Sequence, residues 1–142
     1  MNICFRFEHV FNDRSTDVEN SYALRALLDC LVAVNIAYLK RNRVSRLYSA
    51  GVKYDRTKLW YPIPELYQRG NGDCKSLTAA LVAEYLVQGV KAKPVFRFYP
   101  NPGGGYNFHI LVMVPEKNGY EKKLFEDPSR RLGMGRHETS YF

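Results

Sequence analysis

Along the first third of the chain, apolar residues recur at helical spacing: Leu24, Leu27, Leu28, Leu31, Val34 and Tyr38. Positions three and four apart share one helix face, so this pattern predicts a long helix over about 17–40. Thr16, with Glu19 three residues later, matches a capping box at its start. Cys30 lies among the apolar positions and reads as a buried structural thiol. Residues 2–10 fit a short strand or an irregular arm. Gly51, Pro62 and Pro64 break up the stretch after the helix, and Trp60–Pro64 reads as extended because a residue before proline is pushed out of helical angles.

A second helix is predicted from about Cys74 to Gln88. It is apolar nearly all round, from Leu77 through Val82 to Val87, which marks a central, buried helix. Asp73 is placed to cap its start and Gly89 to stop it. Then the period changes. Lys93–Tyr99, Tyr106–Val114 and Tyr120–Glu126 read as strands, joined by a loop over 100–105 and a hairpin turn at Lys117-Asn118-Gly119. The tail from Ser129 has little periodicity. Helices first and an antiparallel sheet last give the α+β class. A three-residue turn with Gly119 at its bulge position would set His109 directly opposite Asp127, on one face of the sheet. A two-residue turn would put Asp127 on the other face.

Composition narrows the picture little. The 142 residues, 46% hydrophobic and 25% charged, fit one globular domain and exclude disordered, collagen-like and coiled-coil chains. Three cysteines, at 4, 30 and 74, are too few and scattered for a disulfide framework and predict reduced thiols in a cytoplasmic setting. The start lacks a signal-peptide pattern. The longest uncharged apolar run, Cys30 to Leu39, is too short to cross a bilayer, so no membrane span is predicted. Charge changes more. The net charge is +7, and Lys40, Arg41, Arg43, Arg46, Lys53, Arg56 and Lys58 meet only Asp55 in the stretch 40–58. Such a patch suits an acidic partner, a nucleic acid or an anionic surface. A solvated helix end and loop is the plainer reading of the same run.

Candidate chemistry begins at Cys74. A thiol in the first turn of a helix faces unpaired N–H groups and the positive end of the dipole, both of which favour the nucleophilic thiolate. Gly70-Asn71-Gly72 just before it allow close backbone approach. A buried structural thiol is the competing reading. His109 sits in an otherwise apolar strand, and Asp127 follows the last strand before Pro128. Singly they read as a satisfied core histidine and a turn former. Together they supply what a nucleophile needs: a base, and a carboxylate to orient it.

These segments resemble a known family. Gly70-Asn71-Gly72-Asp73-Cys74-Lys75-Ser76-Leu77 resembles the G-x-G-D-C-x-x-L nucleophile motif of transglutaminase-like cysteine peptidases. Asn107-Phe108-His109-Ile110-Leu111-Val112 resembles their His strand, and Phe125-Glu126-Asp127-Pro128 their closing Asp-Pro. Trp60 and Gly89–Pro94 also fit, so the resemblance covers roughly 45–130. It implies a papain-like α+β core, a Cys74-His109-Asp127 triad and acyl transfer through a thioester, in a small bacterial or bacteriophage member acting in the host cytoplasm or carried in a virion. The flanking β-domains and calcium regions of large transglutaminases are missing, which points away from calcium-dependent cross-linking. Gln68, six residues before Cys74, resembles the oxyanion-hole Gln of papain-like peptidases. Tyr67 and Trp60 compete for that role, and the Cys74 N–H is the second donor. An exposed loop amide remains the alternative for Gln68.

Other chemistry is not indicated. The Cys and His residues show no metal-ligand spacing, and Gly103-Gly104-Gly105 lacks a phosphate-loop context. No cofactor is implied. Lys75 faces either solvent or an anionic substrate. The sequence therefore predicts a thiol-dependent peptidase or amidase acting on a protein or peptide. The rival reading is a non-catalytic phage structural or assembly protein that works through its basic surface.

Overall fold

The computed structural model describes residues 17–100, 102–104, 106–115 and 123–135. The arm at 2–10, Thr16 of the capping box, Cys4 and the turn at 117–119 lie outside the described residues. The architecture is mixed α+β. Helix α1 (Asp17–Arg41) leads through a short 3₁₀ turn to β1 (Lys53–Tyr54), α2 (Ile63–Arg69), β2 (Asn71–Gly72) and α3 (Cys74–Val87). Strands β3 (Lys93–Pro100), β4 (Tyr106–Pro115) and β5 (Lys123–Glu126) follow, then α4 (Pro128–Arg131). β3, β4 and β5 form an antiparallel sheet in that order, and β1 pairs with β2 in parallel.

α3 is the centre of the molecule. It packs against α1, the sheet and α4, and every residue from Lys75 to Glu84 is buried. Leu77, Ala79, Ala80, Val82 and Ala83 join Leu28, Val32, Ile63, Leu66, Ile110 and Val112 in one core cluster. The small alanines let neighbours approach, and Leu and Val fill the remaining volume.

α1 forms where periodicity places it, but its buried line is Leu24, Leu28, Val32 and Asn35. Val34 is 54% exposed, and Cys30 is exposed rather than buried. The error has a simple cause: Leu, Val and Cys recur around most of this helix, so composition leaves its inward side ambiguous. Cys30→Ala is accordingly expected to change stability by less than about 0.5 kcal/mol in chemical denaturation, as an exposed position far from caps and core. Ser21–Arg41 is also long and apolar enough to cross a membrane on length and composition alone, with a mean hydropathy of 1.5. Counting only uncharged runs misses this, because Arg25 and Asp29 interrupt the stretch. A core helix of a globular protein passes the same test, and here Leu28 and Val32 pack into the core.

The extended segment ends at Pro62, not Pro64. Pro64 lies in the first turn of α2, where its missing N–H costs no hydrogen bond. The Tyr61 N–H donates to Ser76 Oγ at 2.9 Å and the Ile63 N–H to Asn35 Oδ1 at 2.8 Å. These bonds fasten the segment to α3 and α1. Gly70, at φ 72°, ends α2 in the left-handed region. Gly72 is required for a different reason. A Cβ there would stand 2.5 Å from Leu66 Cδ1 and 3.4 Å from Ser76 Cβ, and Leu66 is fully buried. Gly72→Ala should therefore cost about 1–3 kcal/mol by overpacking, measurable as a lowered urea midpoint.

The sheet register differs from the direct pairing expected. Val112 pairs with Glu126, Met113 with Phe125 and Val114 with Leu124, a shift of two residues. An even shift leaves every side chain on its face, so His109 and Asp127 become diagonal rather than direct neighbours. α4, not foreseen from the tail's weak periodicity, begins because Asp127 caps it and Pro128 occupies its first turn.

Candidate functional site

Cys74 is the first residue of α3 and is half-buried. Asp73 holds the start of the helix by accepting the Lys75 N–H at 3.1 Å. The Cys74 N–H itself belongs to the first turn, where helix geometry provides no acceptor. Lys75, left open by the sequence, is only 8% exposed. Its ammonium pairs with the Asp73 carboxylate and donates to the Thr57 carbonyl at 2.9 Å. It also lies 5.8 Å from the Trp60 ring centroid. Lys75 thus ties the 57–60 segment to the helix start instead of reaching solvent.

His109 comes from β4. Its Nε2–H donates to Asp127 Oδ2 at 2.9 Å, and the same imidazole lines one cavity with Cys74, whose thiol acts on it. Burial pulls the imidazole down, but the bonds and charges of Asp127 and Cys74 outweigh it and raise it from 6.5 to about 9. Asp127 shows the converse balance. Burial pushes its carboxyl up, yet the bond from His109, the Arg130 N–H at 3.2 Å and nearby positive charge hold it below 3.8. Imidazolium and carboxylate each stabilise the other's charged form.

The three residues singled out from the sequence therefore meet. Two other candidates do not join them. Gln68 is exposed on α2 and does not line the cavity at Cys74. The Tyr67 hydroxyl donates to Glu84 Oε1 at 3.2 Å, and burial together with the Glu84 charge pushes its phenol up. Because 63–69 is helical rather than loop, a six-residue spacing before Cys74 does not carry Gln68 to the sulfur. Trp60 stays beside the site through Lys75.

His109 lies between two cavities. One, of about 370 Å³, holds Cys74 with Tyr54, Arg56, Thr57 and Asn107 on its walls. The other, of about 670 Å³, is lined by Leu111, Phe125 and Met134, with Arg97 and Arg130 also on its walls. The sequence marked Arg56 only as part of the basic stretch and Asn107 only as part of the His strand, neither as a neighbour of Cys74. Only the folding of the 54–57 segment against α3 brings Arg56 to the cysteine.

A second cluster supports Asp127. Glu126 accepts hydrogen bonds from the Tyr48 and Tyr85 hydroxyls, both at 2.6 Å. The Arg131 guanidinium lies 3.9 Å from the Tyr48 ring centroid and 3.5 Å from Glu126 Oε1. These contacts fix the end of β5 one residue before Asp127. Among the described residues no group of three or more His, Cys, Asp or Glu side chains can hold a metal ion. All seven cations of the 40–58 stretch are exposed. Comparisons with family models, curated proteins and solved structures return no match.

Proposed function

We propose that the chain is a cysteine-dependent amide hydrolase or acyl transferase of the transglutaminase-like, papain-fold type. The observation that carries this reading is the Cys74-His109-Asp127 constellation: a thiol at a helix start, sharing a cavity with an imidazole that is itself bonded at 2.9 Å to a carboxylate. A structural thiol needs no such pair, and the open cavity beside Cys74 gives a substrate access.

In this reading His109 takes the Cys74 proton, and the sulfur attacks the amide carbonyl carbon. The tetrahedral oxyanion is met by the Cys74 N–H, with the Asn107 amide and Tyr54 hydroxyl on the walls of the same cavity. When the C–N bond breaks, the imidazolium protonates the departing amine. Water then attacks the thioester and gives its proton to His109. The C–S bond breaks and the acid leaves. An amine in place of water gives transamidation by the same steps. Asp127 keeps the imidazole oriented through both halves.

The test is release of amine from a mixed peptide-amide library, followed by mass spectrometry of Cys74 for a trapped thioester. Turnover in the wild type and none in Cys74→Ala support the reading. Equal amine release by both would end it. The exposed cations at 40–58 favour one second reading, a basic binding surface of a phage assembly protein. That role would survive Cys74→Ala and weaken steeply with salt.

A further inference from the structure

Two cavities meet at His109, and in the acyl-transfer reading each can take one side of the amide. The acyl group stays on the Cys74 sulfur, so its side chain occupies the 370 Å³ cavity that Cys74 lines. The amine departs with a proton from His109, into the 670 Å³ cavity that His109 lines without Cys74. The two differ in chemistry. Leu111, Phe125 and Met134 give the amine side apolar surface, edged by Arg97 and Arg130. The acyl side is polar, with Thr57, Asn107 and Tyr54.

Charge on the acyl side is uneven. Asp73 and Lys75 neutralise one another, and Lys75 also donates to the Thr57 carbonyl. Arg56 is the charge left over. It is exposed, it lines the cavity, and among the described residues no carboxylate stands within ion-pair distance of it. Lys53 and Lys58, both exposed, flank it in sequence and outnumber the exposed Asp55, so the stretch keeps a positive potential. A planar guanidinium with unpaired donors is the side chain best suited to a carboxylate, which it can grip with two parallel hydrogen bonds. The volume lies at the small end of ligand cavities, enough for one short polar side chain.

We infer that Arg56 selects an acidic acyl donor, so that the amide attacked by Cys74 follows an Asp- or Glu-like residue of a peptide. This rests on the acyl-transfer reading above and adds its substrate class. The carboxylate would hold the acyl side chain against Arg56 while the carbonyl lies over the sulfur.

The experiment uses two alkylating reagents of nearly equal size, iodoacetate and iodoacetamide, with Cys30 as an exposed internal reference. The ratio of iodoacetate to iodoacetamide rates at Cys74 is measured in the wild type, in Arg56→Gln and in Arg43→Gln, which removes the same charge away from the cavity. The expected result is a ratio about threefold or more lower in Arg56→Gln and unchanged in Arg43→Gln. Blocked tetrapeptides differing only by Glu or Gln at the acyl position supply the second arm. The Glu peptide should protect Cys74 from iodoacetamide at lower concentration in the wild type, and that advantage should vanish in Arg56→Gln. An unchanged ratio together with equal protection, at a Cys74 that still outpaces Cys30 with iodoacetamide, overturns the role of Arg56 alone. Equal rates at Cys74 and Cys30 with iodoacetamide overturn the catalytic reading and this inference with it.

Discussion

Near pH 6, Cys74 is expected to alkylate with iodoacetamide roughly 100-fold faster than Cys30, because an ordinary thiol of pKa about 8.5 is then almost wholly protonated. Cys30 is a fair reference because it is exposed, so access does not limit its labelling. Cys74 sits at the opening of α3 with the His109 imidazole on the wall of the same cavity. His109→Ala removes the proton acceptor and should bring the Cys74 rate down toward that of Cys30, while leaving Cys30 unchanged. Peptide mapping by mass spectrometry separates the sites. The same substitution, like Cys74→Ala, should lower amide turnover by about a thousandfold or more, because members of a triad act as a unit. Persistence of fast labelling in His109→Ala would assign the reactivity to the helix start alone.

Replacing Asp127 by Asn should move the titration of His109 and flatten the pH dependence of stability. Asn keeps one side-chain oxygen, enough to cap α4, so the change removes the carboxylate charge and the oxygen that accepts from His109 while sparing the helix start. His109 titrates near 9 in the fold against 6.5 unfolded. Its contribution is therefore complete below about 6.5 and is lost as pH rises through about 9. Asp127 lies below its ordinary 3.8. Its contribution is present above that value and is lost as pH falls through the lowered one. The pair stabilises most between these limits, so Asp127→Asn should lower Tm clearly at about pH 5.5 and little at about pH 10. NMR of the His109 ring protons should show its midpoint falling from about 9 toward 6.5. An unmoved midpoint would show that Asp127 does not hold the imidazolium. Asp127→Ala, which loses the α4 cap as well as the charge, should lower Tm further than Asp127→Asn at both pH values.

The local pattern was enough to place both long helices, the three strands of the sheet and the order Cys, His, Asp. Each depends on neighbours in sequence: 3.6-residue or two-residue periodicity, a capping aspartate, a glycine turn. The face shared by His109 and Asp127 turned on the length of the 117–119 turn, which the local pattern left open between two and three residues, and the observed register keeps both on one face. The register itself was decided by the sheet as packed, where Val112 pairs with Glu126 and Glu126 is held by Tyr48 and Tyr85 from distant parts of the chain. Which side of α1 turns inward was likewise tertiary. Apolar residues surround much of that helix, and contact with α3 selected Leu24, Leu28, Val32 and Asn35 while leaving Cys30 outside. Gln68 failed as an oxyanion donor because spacing along the chain does not fix direction in space once 63–69 coils into a helix. In the sequence Arg56 read as one cation of the 40–58 run, and Lys75 as facing either solvent or an anionic substrate. Burial against Asp73 and the Thr57 carbonyl made Lys75 a fastening, while the absence of a described carboxylate partner left the Arg56 charge facing the cavity.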